Sequence, residues 1–217
     1  MEFSGFGEHA IDFFDGIEAD NSKVYWDANK AVYQEDVRVP MLVLLNDLEP
    51  EFGPGKVFRP FRDVRFSKDK TPYKTHCGGV VEEGRGGGAF YVQIGVEGVM
   101  AGGGSFAMAS DQLARFRSSV DDDRRGGQLQ KIIAKLVKNG WDIRGDRLKT
   151  KPRGFDPEHP RIDLLRHRTL YAAKVWPPDD TLHEPGCGDR VLGAWRELKP
   201  LNEWCVDHVG VSEKPWR

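Results

Sequence analysis

Seven lysine and arginine residues are concentrated in segment 56–74, and their side chains are suited to binding an anion. The segment reads KVFRPFRDVRFSKDKTPYK and contains two aspartates, which leaves a local charge of +5. The rest of the chain holds 25 basic and 32 acidic residues, a net charge of −7, although the whole chain carries only −2. Arginine offers a planar fork that matches phosphate or carboxylate, and lysine adds a point charge. This distribution predicts a local anion site rather than a broad nucleic-acid-binding face.

The prolines of this basic segment, Pro60 and Pro72, exclude one continuous helix. We therefore predict a short strand over 64–66, in which Asp63 and Arg65 share a face because alternate side chains of a strand point the same way. Two aspartates can neutralise two of the cations, and the surplus needs solvent, other carboxylates or a bound anion. The residues that we predict to line the anion pocket are Arg62, Arg65, Lys70 and Lys74.

Other side chains near the segment have weaker chemical assignments. Neighbouring cations should keep Asp63 ionised, so we interpret it as a residue that orients arginine rather than as a general base. His76 could act as an acid beside an anion, and a thiolate at Cys77 is disfavoured as its partner because adjacent strand residues face opposite ways. Neither His76-Cys77 nor the pair His183 and Cys187 matches a four-ligand zinc pattern, so no metal site is predicted.

Three motifs are distributed over most of the chain. The basic segment contains the spacing Arg59-x-x-Arg62-Asp63-x-Arg65-Phe66, with Lys70 and Tyr73 after it. The upstream motif consists of Asn21, Tyr25-Trp26, Asn29-Lys30, Tyr33 and Pro40. The downstream motif consists of Leu148-Lys149-x-x-Pro152-Arg153-Gly154-Phe155 and His159-Pro160.

Together these motifs resemble the microbial family known as domain of unknown function 2461. One departure is the aromatic pair of the upstream motif, which is usually Trp-Phe and is Tyr-Trp here. The resemblance implies one functional set, made up of Arg62, Asp63, Arg65, Lys70, Tyr73, Lys149 and Arg153. With Arg59 and Lys74 added, these residues form the complete predicted anion-binding site.

The spacing of apolar residues predicts a single α+β domain over 1–217, with an antiparallel sheet covered by helices from both ends of the chain. Its parts are a helical portion at 5–50, a mostly β portion at 56–106, and helices plus two strands at 110–217. The predicted strands are 57–58, 64–66, 75–82, 89–96, 99–106, part of 141–150, and 169–176. Gly84–Gly88 is predicted to be a flexible turn. Predicted helix starts are Ser110, Asp156 before Pro157, and about Asp189.

Cysteine usage and the N-terminal composition predict a cytoplasmic protein that does not enter a membrane. The three cysteines are widely spaced and lack a C-x-x-C pair, which is typical of a reducing compartment. The N-terminal stretch is acidic, and no apolar run is long enough to cross a bilayer. The sequence identifies no cofactor and leaves the reaction and the oligomeric state open.

Three function classes are compatible with the basic segment. The favoured one is an enzyme or binding protein for a small phosphorylated or carboxylated metabolite. The second is a nucleic-acid-binding module in which Phe61, Phe66 and Tyr73 stack on bases beside the same cations. The third is a non-catalytic structural or interaction protein whose arginines form an internal ion-pair network.

Overall fold

Apolar side chains at helical spacing begin the chain, and the computed structural model places helices there. It describes residues 2–65, 67–83 and 87–214. Phe13, Phe14 and Ile17 form the buried face of the first helix. The helices are α1 (Ala10–Ala19), α2 (Lys23–Val32), α3 (Val39–Phe52), α4 (Ser110–Asp121), α5 (Asp123–Lys138), α6 (Ile162–Leu165) and α7 (Gly186–His208).

A π-helical segment, Tyr33–Arg38, joins α2 to α3 without a break. The hydroxyl of Ser22 accepts a hydrogen bond from the Tyr25 backbone N–H at 3.1 Å and so caps α2. Pro40 is the second residue of α3 and has no N–H to donate to the π-helical turn before it, and the Asp36 carbonyl of that turn accepts the Gly7 N–H at 2.8 Å instead. The helical path is thus continuous from Lys23 to Phe52, with the π-helical segment directly before Pro40.

Six strands form one antiparallel sheet, which confirms the predicted α+β class. The strands are β1 (Gly55–Val57), β2 (His76–Glu83), β3 (Gly88–Gly95), β4 (Gly98–Ser105), β5 (Asp142–Arg144) and β6 (Leu170–Trp176). Their order in the sheet is β1-β2-β3-β4-β6-β5. Strand β1 pairs with β2 from Gly55 opposite Val81 to Val57 opposite Gly79.

The domain divides into two compact units, each with its own packing. The first comprises Met1–Val81, Tyr91–Ala101 and Val175–Gly193, and the second comprises Glu82–Phe90, Gly102–Lys174 and Ala194–Arg217. In the first, α3 packs against β2 at Gly79, where an added Cβ would come within 2.8 Å of the Leu45 side chain. In the second, Phe90 of β3 packs against Trp195 of α7, with ring centroids 5.3 Å apart.

The strand predicted over 64–66 is wrong, because Val64 and Arg65 lie in a loop. Phe66, the third residue of that prediction, lies outside the described residues, as do Gly84–Gly86 of the predicted turn.

The β3–β4 connection is Val96-Glu97, one residue earlier than predicted. Gly98 therefore begins β4 at a φ of +91°, where an added Cβ would lie 2.2 Å from the Trp176 carbonyl oxygen.

Three predicted helix starts also need correction. Ser110 is the first residue of α4 rather than its cap, because the Gln112 side chain accepts the Ala109 N–H at 2.8 Å. Asp156 accepts the Glu158 N–H in a turn, and the helix after it begins only at Ile162. Helix α7 begins at Gly186, three residues before the predicted Asp189.

Asn21 connects the helical N-terminus to the segment that precedes β2. Its side-chain amide donates to the Tyr73 carbonyl at 3.1 Å and accepts the Tyr73 N–H at 3.0 Å. We expect Asn21→Ala to lower the free energy of unfolding by about 1–3 kcal/mol, because two partly buried backbone groups lose their partners. Urea denaturation measures this loss. The control is Asn29→Ala, which removes one hydrogen bond within α2, and an equal or smaller loss in Asn21→Ala would contradict the assignment.

Candidate functional site

The site is built on an extension of the β1–β2 pair, which we call the ribbon (residues 55–62 and 72–81). Beyond the last sheet pair, the Phe58 N–H donates to the Gly78 carbonyl at 2.9 Å. Further out, the Lys74 N–H donates to the Pro60 carbonyl at 2.8 Å, and Phe61 pairs with Tyr73. The ribbon therefore carries the ends of the basic segment as two hydrogen-bonded chains.

A bulge interrupts the ribbon opposite Arg59. Phe58, the residue before Arg59, is bonded to Gly78, and Pro60, the residue after it, is bonded to Lys74. Arg59 alone therefore lies opposite the three residues Thr75–Cys77. Extra residues on one strand bend it and redirect its side chains, and such bulges are common near functional sites. The bulge brings Arg59, Lys74 and His76 into one neighbourhood.

Two aromatic rings lie beside this bulge. The Lys74 ammonium is 5.0 Å from the centroid of the Phe58 ring, and that of Lys56 is 6.0 Å from it. The Tyr91 ring centroid lies 6.4 Å from that of Phe58. Gly78 allows this arrangement, because an added Cβ would lie 2.4 Å from the Tyr91 hydroxyl oxygen.

Within the described residues the two cations at the bulge are not held by ion pairs, although the Arg59 charge also lowers the pKa of the Asp63 carboxyl. Among the residues that the structure describes, no carboxylate forms an ion pair with Arg59 or Lys74. Burial lowers the pKa of the Lys74 ammonium, and the Arg59 guanidinium lowers it further. Burial and then the Lys74 ammonium also lower the pKa of His76 below its usual 6.5, so this imidazole is neutral at pH 7. Two cations and a neutral imidazole form the candidate anion site.

The predicted cations between Arg62 and Lys70 have partners within their own loop. Arg62 contacts Asp69. Arg65 forms a bidentate ion pair with Asp63, with nitrogen–oxygen distances of 2.7–3.2 Å. The hydrogen bonds from Arg65 hold the pKa of the Asp63 carboxyl at about 2, so it is ionised at neutral pH. The Lys70 ammonium donates to a backbone carbonyl at 2.8 Å. The structure thus places these residues together, with much of their charge matched locally.

The remaining predicted residues lie in different surroundings. Tyr73 is only 5% exposed, and its ring stacks on Trp26 with centroids 4.6 Å apart and planes 8° apart. Its ring is therefore part of the core and cannot stack on a base. Phe61 is 48% exposed, whereas Phe66 lies outside the described residues. Lys149 and Arg153 are exposed residues of the second unit.

Cys77 is a buried thiol without nucleophilic character. It is 2% exposed and accepts a hydrogen bond from the Tyr33 hydroxyl at 3.7 Å. Burial raises the pKa of Cys77 to about 11, so the thiol is protonated at neutral pH. In the part of the chain described, no group of three His, Cys, Asp or Glu side chains is placed to hold a metal ion.

Sequence reasoning missed the contribution of β3 to the site. The hydroxyl of Tyr91 donates to the Gln93 side-chain oxygen at 2.9 Å, and both side chains are half-buried. Buried and half-buried side chains alternate along the first part of β3, and Tyr91 and Gln93 lie on its half-buried face. The register that places Tyr91 over Gly78 depends on pairing between distant segments, and no local pattern encodes it.

A cavity of about 510 Å³ lies elsewhere in the first unit, beside α3 and the start of α7. Its acidic lining residues are Glu2, Asp47 and Asp189, and no lysine, arginine or histidine contributes to the lining. Such a lining repels anions, so this cavity does not suit the predicted anion.

Comparisons with known proteins bear on the family of the chain. A family model described as a conserved hypothetical protein, DUF2461, matches residues 9–204. This match confirms the resemblance drawn from the three motifs. A search of curated proteins finds no match. Among the described residues, no helix is both long enough and apolar enough to cross a membrane.

The proximity of Lys74 to His76 can be tested by titration. We expect Lys74→Met to raise the pKa of His76, because the substitution removes the cation that disfavours a protonated imidazole. The imidazole proton resonances, followed by NMR against pH, measure this pKa. Lys68→Met is the matched control, since it removes one exposed lysine from the same segment. An unchanged His76 midpoint in Lys74→Met, or an equal rise in both variants, would contradict the arrangement.

Proposed function

The chain belongs to the DUF2461 family of conserved hypothetical proteins, and we propose that it binds a small phosphorylated or carboxylated ligand through Arg59 and Lys74. The observation that carries this proposal is the half-buried Lys74 ammonium, which has lost hydration without forming an ion pair among the described residues. Removing a charge from water is unfavourable unless a partner replaces the lost hydration. A bound anion would supply that partner.

The groups at the bulge divide the binding between them. Arg59 is exposed, so its planar guanidinium can form two parallel hydrogen bonds to a phosphate or carboxylate. Lys74 contributes a point charge from a fixed backbone position, because its own N–H is bonded within the ribbon. The neutral imidazole of His76 can donate one further hydrogen bond to the anion.

The loop cations form an outer layer of the proposed site. The ion pairs of Arg62 and Arg65 are exposed to water, which screens the attraction between their charges and leaves such pairs weak. A doubly charged phosphate can therefore compete with Asp63 and Asp69 for these guanidinium groups. Lys70 stays in the proposed outer layer through the family resemblance, whereas Tyr73 supports the ribbon from the core. The anion-binding role of Lys149 and Arg153, which belong to the second unit, stays a prediction from the family resemblance.

The alternatives differ in how well the geometry supports them. A nucleic-acid-binding module loses one of its three proposed stacking rings, because Tyr73 is buried against Trp26. A non-catalytic structural role is the second candidate, since Arg62 and Arg65 each form an ion pair inside the loop. In that case Arg62→Met would lower stability, and no substitution at the bulge would change anion binding.

Isothermal titration with inorganic phosphate tests the proposal. We expect the double variant Arg59→Met/Lys74→Met to bind phosphate at least about tenfold more weakly than the unmodified protein, because hydrogen bonds to charged groups contribute about 1.5–3 kcal/mol each. Lys68→Met should bind within about twofold of the unmodified protein, since only nonspecific attraction changes.

The outcomes separate the function classes. Equal weakening in the double variant and in Lys68→Met would show diffuse attraction and overturn the proposed site. No affinity of the unmodified protein for phosphate, sulfate or acetate would also overturn it. Unfolding curves of each variant show whether a lost affinity reflects a lost fold.

A further inference from the structure

We infer that the ligand carries a planar ring close to its anionic group, and that this ring packs on the surface formed by Phe58 and Tyr91. This inference rests on the proposed anion site and specifies the class of ligand that the site takes. It would apply to an aromatic phosphate ester or an aromatic carboxylate.

The aromatic surface lies directly beside the proposed anion contacts. The Phe58 and Tyr91 rings are inclined by 40° with centroids 6.4 Å apart, and both side chains are half-buried. The Lys74 ammonium is 5.0 Å from the Phe58 centroid. A ligand whose anion contacts Lys74 therefore has the Phe58 ring within reach of its next few atoms.

The surface is held in place before a ligand arrives. The Tyr91 hydroxyl is fixed by its hydrogen bond to Gln93 at 2.9 Å, and the missing side chain at Gly78 gives the hydroxyl its space. The Phe58 backbone is fixed by its bond to the Gly78 carbonyl. A rigid surface loses little conformational entropy on binding, which favours affinity for a flat partner.

Charge complementarity favours a small anion as the occupant of this surface. The Lys74 ammonium lies 5.0 Å from the Phe58 centroid, and Arg59 is on the same ribbon. A ring that carries a phosphate or carboxylate can both pack on the aromatic rings and pair with the positive charge. An apolar or cationic ring can only pack on the aromatic rings. Aromatic pairs gain about 0.5–1.5 kcal/mol beyond their buried area, which is a factor of roughly 2 to 12 in affinity.

Phenyl phosphate and methyl phosphate provide a matched test, because they differ in the ring and share the phosphate monoester. We expect the unmodified protein to bind phenyl phosphate at least about threefold more tightly than methyl phosphate in isothermal titration. Phe58→Leu should abolish this ratio, because phenyl phosphate then has no Phe58 ring to pack against. Phe61→Leu is the control, because it removes a half-exposed ring elsewhere on the ribbon and should keep the ratio.

Each outcome decides between the two proposals. Equal affinity for the two esters in the unmodified protein, or a ratio that survives in Phe58→Leu, would overturn the ring inference and leave the anion site intact. Failure of both esters to bind would overturn the proposed function itself. If Phe58→Leu does not fold, NMR of the unmodified protein replaces it: phenyl phosphate, but not methyl phosphate, should produce ring-current shifts at Phe58 and Tyr91. Absence of those shifts would contradict the inference.

Discussion

A lysine ammonium that loses water without forming an ion pair among the described residues is the physical constraint at the centre of the proposed site. Lys74 is half-buried, and burial and Arg59 both lower the pKa of its ammonium group. The chain keeps this arrangement although it carries more acidic than basic residues overall. The lost hydration of the Lys74 ammonium is unfavourable on its own. A bound anion would offset it, because the anion supplies the negative charge that the ammonium group lacks.

The fold supports this arrangement from two sides. The helical N-terminus holds the ribbon through Asn21 and through the stacking of Trp26 on Tyr73. The sheet holds it through the β1–β2 pairs and through the backbone bond of Phe58. The bulge lies between these anchors, so the redirection of its side chains is a fixed property of the backbone.

The sequence predicted the features that depend on composition and on local pattern. The α+β class follows from helical spacing followed by strands, and the concentration of charge at 56–74 is visible without a structure. The strand predicted at 64–66 was wrong because the Asp63 side chain accepts the Arg65 backbone N–H two residues ahead, which favours a turn. The bulge and the register of Tyr91 over Gly78 arise from pairing between distant segments, so no local pattern could reveal them. The same is true of the burial of Tyr73, which requires Trp26 as its partner.

The most direct test of the central claim is the titration of the lysine side chains by NMR, with ¹³C at the ε-carbon and Lys74→Met used for assignment. The account predicts that Lys74 deprotonates at a lower pH than the exposed lysines, and that saturating phosphate raises its pKa. A Lys74 resonance that titrates together with the exposed lysines and does not respond to phosphate would contradict the account.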